Sequence, residues 1–211
     1  MSRYAVRRCI GVALLSALFA CDEHARPTAP GLATLETPAQ LLRAGSAKRA
    51  KLLKRATALD NDVVTSARIT PAGGALSIEE AGLVVLFPRG AVSEDVVITA
   101  TAVRGKELVY TFEPHGLAFN VPIVLAQQLS SSAYSRKHGE STPDVQGGYL
   151  AAGTRDVDPA GIASVAETYP AFFHEIAGRT YLVFSTTHFS GYSYLSGRAE
   201  SSGANLTMAL P

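Results

Sequence analysis

The stretch Leu83-Val84-Val85-Leu86-Phe87-Pro88-Arg89-Gly90-Ala91-Val92 decides the fold. Five apolar residues of strand length are stopped by a proline, which cannot donate to a ladder, and a glycine two residues later allows the chain to turn. Val96-Val97-Ile98-Thr99-Ala100 follows with alternating character, so two strands joined by a tight corner are expected. The same texture continues outward. Further strands are predicted at residues 65–69, 75–78, 96–103, 108–112 and 121–126. A polar loop at 130–147 follows, and strands resume at 149–152, 162–168, 171–176, 180–184 and 191–195. Ala177-Gly178 marks a hairpin. Short strands at this spacing predict an all-β fold, an antiparallel β-sandwich over residues 63–197, with 198–211 as a tail.

Upstream the composition changes. The chain has 211 residues, of which 47% are hydrophobic and 18% charged, enough for one domain with appendages and too apolar for wholesale disorder. Residues 1–20 combine Arg3, Arg7 and Arg8 with an apolar run from Ile10 to Phe19, the pattern of a signal peptide and too short for a comfortable membrane span. Its two cysteines, Cys9 and Cys21, both lie in this N-terminal region, so the sandwich has no internal disulfide. Residues 21–36 are rich in Ala, Pro, Thr and Gly and read as a flexible tether. Thr37-Pro38-Ala39-Gln40 has a cap hydroxyl, a first-turn proline and a glutamine three residues after the cap, which predicts a short helical spacer over 37–62 with a weak point at Gly45-Ser46. Leu41, Leu52, Ala56 and Leu59 would share one face of it. Arg43, Lys48, Arg49, Lys51, Lys54 and Arg55 make the spacer basic. Two readings stand side by side: a solvated stalk, or a helix lying on anionic headgroups.

Two resemblances carry the functional expectation. Leu18-Phe19-Ala20-Cys21 resembles the lipobox of bacterial lipoproteins, with Phe19 bulkier than the residue usual at its position. The resemblance implies cleavage before Cys21, acylation of its thiol and anchoring to a membrane of the bacterial envelope, facing periplasm or exterior. A secretory signal with an incidental cysteine is the alternative. Losing the three arginines of residues 1–20 takes the formal charge from +1 to −2, which argues against a nucleic-acid partner. Gly73-Gly74-Ala75-Leu76, Phe87-Pro88-Arg89-Gly90-Ala91-Val92 and Phe112-Glu113-Pro114-His115-Gly116-Leu117-Ala118-Phe119-Asn120-Val121-Pro122 together resemble the ZU-five domain of zonula-occludens scaffolds, netrin receptors and ankyrins. Thr187-His188-Phe189-Ser190-Gly191-Tyr192 is similar to a phrase that ends such domains in bacterial surface proteins. The resemblance implies a β-sandwich used for protein contacts, with corners at Gly90 and between Gly116 and Pro122.

Some ZU-five proteins cut themselves at a His-Phe-Ser triplet. Here Ser190 would attack the Phe189 carbonyl with His188 as base. A strand with Phe189 inward and Ser190 outward explains the same letters. No Gly-x-Ser-x-Gly elbow or phosphate-binding glycine motif occurs. His24, His115, His138, His174 and His188 have no ligand spacing, and Asp60-Asn61-Asp62 and Asp156-Val157-Asp158 read as turns, so no metal or other cofactor is expected. Tyr149, Tyr169, Phe172, Phe173, Tyr181, Tyr192 and Tyr194 pack the core or form an exposed patch for a protein or sugar; the letters alone leave both open. No small-molecule substrate is expected, and the leading expectation is a non-enzymatic binding or structural module.

Overall fold

The computed structural model describes residues 48–197 and 200–201. The signal peptide, Cys9, Cys21, His24, the tether, the first part of the predicted spacer and most of the tail lie outside the described residues. In chain order the strands are β1 (Lys48–Lys51), β2 (Lys54–Leu59), β3 (Val63–Ile69), β4 (Gly74–Ile78) and β5 (Leu83–Phe87). They continue as β6 (Val96–Ala102), β7 (Gly105–Glu107), β8 (Val109–Glu113), β9 (Ala118–Gln128) and β10 (Val145–Leu150). The last are β11 (Ile162–Val165), β12 (Glu167–Pro170), β13 (Phe172–Ile176), β14 (Arg179–His188), β15 (Gly191–Ser196) and β16 (Glu200–Ser201). All pairings are antiparallel. A six-stranded sheet runs β12-β10-β15-β8-β6-β3, and a five-stranded sheet runs β13-β14-β9-β5-β4.

Alternation explains why these two sheets pack as a sandwich. Leu83, Val85 and Phe87 of β5 point inward, as do Leu182 and Phe184 of β14; from the six-stranded sheet Ile98 and Ala100 of β6 and Tyr192 and Tyr194 of β15 meet them in one buried cluster. Close approach of the layers requires Gly147 in β10, where a β-carbon would lie 2.6 Å from Phe184 ring carbons.

The corner after Phe87 does more than join neighbours. β5 belongs to the five-stranded sheet and β6 to the six-stranded one, so Pro88-Arg89-Gly90 carries the chain across the sandwich. Gly90 has φ 81°, and its N–H donates to the Pro71 carbonyl at 2.8 Å. Pro122 bounds no corner: it lies inside β9, at the register shift opposite Thr186 and His188, where a residue without an N–H leaves no ladder bond unmade.

The predicted helical spacer is corrected over 48–59, which form β1 and β2 and belong to the domain. Ala50 and Leu52 alternate with exposed lysines, and after Leu52-Leu53 the phase shifts, so Leu53 and Arg55 point in while Lys54 points out. A period-two pattern broken by one residue imitates a helical face, and the good helix formers Ala, Leu and Lys are overruled by pairing. The Leu53 N–H donates to the Tyr194 carbonyl at 2.7 Å, and the Leu53 carbonyl accepts from Leu108 at 2.9 Å. β1 is the centre of a small sheet, β11-β1-β16, so the region after Gly197 also contributes a strand. Ala50, Leu52, Ala163 and Val165 cover Val109, Leu150 and Leu195 on the outer face of the six-stranded sheet. The five-stranded sheet has no such cover among the described residues: Leu86, Phe172 and Ile176 are exposed there.

Arg55 is the most unusual core residue. Only 2% exposed, its guanidinium donates to the carbonyls of Glu107, Gly105 and Val109 and lies 5.4 Å from the Tyr110 ring centre, while Nε has no partner. Burial pulls its pKa below the ordinary arginine value.

Candidate functional site

His188-Phe189-Ser190 forms the crossing from β14 to β15, and so from one sheet to the other. Phe189 is driven inward: 1% exposed, it stacks on Phe112 at 4.4 Å and meets Phe119 and Phe87 edge-on at 4.8 and 5.9 Å. Its backbone is held on both sides. The Phe189 N–H donates to the Leu117 carbonyl at 2.8 Å, its carbonyl accepts from Gly116 N–H at 3.0 Å, and the Ser190 carbonyl accepts from Phe112 at 2.9 Å.

His188 faces a polar cluster. Its Nδ1 lies 3.1 Å from the Tyr192 hydroxyl, and its Nε2 lies 3.2 Å from the Tyr169 hydroxyl and 3.4 Å from Glu167 Oε2. Tyr149 meets the ring edge-on at 4.7 Å. The Tyr192 hydroxyl donates to the carbonyl of His188 itself at 2.6 Å and accepts from the Thr186 hydroxyl at 2.9 Å. Tyr169 donates to Glu167 at 2.7 Å. Burial pushes the Tyr169 phenol up to about 12, with the Glu167 carboxylate as a second cause, and burial likewise raises Tyr192.

Self-cleavage between Phe189 and Ser190 needs a base on the serine, a polarised carbonyl and a distorted peptide. The Gly116 N–H supplies the second. The base is directed elsewhere: both ring nitrogens of His188 are engaged by Tyr192, Tyr169 and Glu167, and among the described residues no hydrogen bond joins His188 to the Ser190 side chain. Neither Phe189 nor Ser190 has a left-handed backbone. His188 is thus brought together with Glu167, Tyr169 and Tyr192. No spacing in the sequence announces that grouping, because the partners come from β12 and β15.

The other singled-out residues are dispersed. His115, His138 and His174 are exposed and separate. Among the described residues no three His, Cys, Asp or Glu side chains are placed to hold a metal ion, and no helix is long and apolar enough to cross a membrane. The acidic fragments cap backbone: Asp62 accepts from Arg104 N–H at 2.7 Å, Asp156 from Ala152 at 2.7 Å, and Asp158 from Ala160 and Ile162 at 2.9 Å. Of the aromatic residues, Tyr181, Tyr192 and Tyr194 are buried, Tyr149, Tyr169 and Phe173 half-buried, and Phe172 is 57% exposed. An open cleft of about 480 Å³ beside Tyr134, Arg136 and Arg179 holds no convergent catalytic set. No protein-family model matches the chain, and comparison with curated proteins finds no match.

Proposed function

We propose that this chain is a lipid-anchored β-sandwich of the ZU-five type that makes protein contacts at a bacterial envelope, without catalysis. The observation carrying the reading is the edge of β13, unpaired among the described residues, where Phe172 and Ile176 remain exposed beside a sheet face that those residues leave open. Exposed aromatic and apolar side chains on an unpaired edge favour strand addition by a partner. The anchor rests on Leu18-Phe19-Ala20-Cys21. Two or more acyl chains on Cys21 give stable attachment, since each buried methylene contributes about 0.8 kcal/mol. In fractionated cells the wild-type chain is expected in the membrane pellet and Cys21→Ala in the soluble fraction. Retention of Cys21→Ala in the pellet refutes the anchor. Capture of an envelope protein, a second copy of this chain included, that requires exposed β13 supports the contact function, and the absence of any such partner under cross-linking removes it.

A second reading is self-cleavage at Phe189-Ser190, favoured by the Gly116 N–H already bonded to the Phe189 carbonyl. It requires the His188 ring to leave Tyr192 and Tyr169 and reach Ser190. Because His188 is held by the phenols, the purified protein is expected to show one intact mass through Pro211. Two fragments parting before Ser190, abolished by Ser190→Ala, would establish the second reading instead.

A further inference from the structure

The strand β13 pairs with β14 on one side only; among the described residues its other edge pairs with nothing. Ala177 and Gly178 have φ 48° and 75°, the signature of a two-residue I′ turn, so Ile176 and Arg179 flank the turn as a hydrogen-bonded pair. Alternation then directs the N–H and C=O groups of Phe173 and Glu175 away from β14, out of the domain. The side chains divide the other way. Phe172, His174 and Ile176 lie on the open outer face, and Phe173 and Glu175 lie on the inner side, where Arg136 stacks 4.3 Å over Phe173 and stands 3.8 Å from Glu175. The strand contains no proline, lysine or bulge to discourage another strand.

We infer that β13 is the two-fold contact of a homodimer, in which a second copy adds its own β13 antiparallel about His174 and joins the two five-stranded sheets. This rests on the protein-contact reading above and commits it to a partner. The sequence Phe172-Phe173-His174-Glu175-Ile176 complements itself in that register. Phe173 and Glu175 of the partner subunit fall opposite one another, so their outward amides and carbonyls exchange ladder bonds. On the outer face Phe172 meets Ile176 of the partner subunit, an aromatic against a β-branched residue. On the inner side each Arg136, already beside its own Glu175, gains Glu175 of the partner subunit as a second carboxylate. An isologous contact of this kind closes on itself and forms no fibre.

The test uses the purified full chain with Cys9→Ser and Cys21→Ser, so that one introduced thiol is present. At the two-fold centre His174→Cys places two thiols within disulfide reach. Mild oxidation is expected to double the mass on a non-reducing gel, reversibly, whereas Val64→Cys, 59% exposed on β3, remains single. Adding Glu175→Pro removes an outward amide without touching the β14 ladder and is expected to abolish the cross-link with an unchanged circular dichroism spectrum. If that variant misfolds, Ile176→Asp is expected to abolish it by setting an anion against the ring of Phe172 of the partner subunit. Equal cross-linking at positions 174 and 64, or a cross-link that survives both edge substitutions, overturns the dimer. So does a chain that remains single yet captures a different envelope protein, a result that leaves the contact function standing.

Discussion

Raising the pH past about 10 is expected to unfold the domain cooperatively, with the loss beginning where free phenols ionise. Tyr110, Tyr192 and Tyr194 are each fully buried. Their hydroxyls donate to the Gln127 side chain at 2.5 Å, the His188 carbonyl at 2.6 Å and the Leu182 carbonyl at 3.2 Å. Burial raises all three pKa values above 10.0, most of all by desolvating the phenolate. The folded state therefore holds protons that the unfolded chain releases. Stability contributed by these groups is complete below the unfolded phenol range and declines as pH rises from there towards the folded values. Each phenol contributes a slope approaching about 1.4 kcal/mol per pH unit, roughly 4 kcal/mol for the three together, against a domain stability of order 5–15 kcal/mol. Denaturant melts at rising pH check this. Tyrosinate absorbance should appear together with loss of the β signal, and Tyr110→Phe should reduce the slope by up to about 1.4 kcal/mol per pH unit. A stability that stays level beyond the phenol range contradicts the burial of these hydroxyls.

Replacing Arg55 by alanine is expected to cost about 3–5 kcal/mol, the range for truncating a large buried side chain, to which carbonyls stripped of a donor contribute. The carbonyls of Gly105 and Glu107 lose the guanidinium, that of Val109 is left with the Val103 N–H alone, and Tyr110 loses the cation beside its ring. With roughly 2–4 °C per kcal/mol for a domain of this size, the melting temperature should fall by about 6–20 °C. Arg55→Lys should fall between, because one ammonium does not reproduce a planar fork that reaches three carbonyls. Arg49 provides the contrast. Its ion pair with Asp158 at 3.0 Å is on the surface, with 59% of the arginine side chain exposed, so Arg49→Ala should change stability by no more than about 1 kcal/mol. Thermal unfolding of the three variants side by side separates a structural cation from a solvated basic run.

That contrast also marks the limit of the sequence. Lys48, Arg49, Lys51, Lys54 and Arg55 are letters of one kind, and nothing local distinguishes the one that lines the core. The distinction comes from β2 being laid against β7, which brings the carbonyls of Gly105 and Glu107 to the guanidinium. Likewise Val145–Leu150 begins earlier than its apolar letters suggest, because Gly147 and Gly148 are strand residues chosen for the closeness of Phe184 and Leu195. At His188-Phe189-Ser190 the reactive letters were legible, but the direction of the imidazole was not: Tyr192, four residues on, and Tyr169, on another strand, draw it away from the serine.

By itself the sequence determined the all-β class, most strand positions, the hairpin at Ala177-Gly178 and the stop at Pro88, because period-two burial, a missing N–H and a glycine φ are local properties of the chain. Only the tertiary structure decided that Pro88-Arg89-Gly90 crosses between sheets, that residues 48–59 are strands, and that β13 is an edge strand among the described residues. Those outcomes depend on which strands pair, and pairing is settled by contacts between residues far apart in sequence, where helix propensity and charge runs have no say.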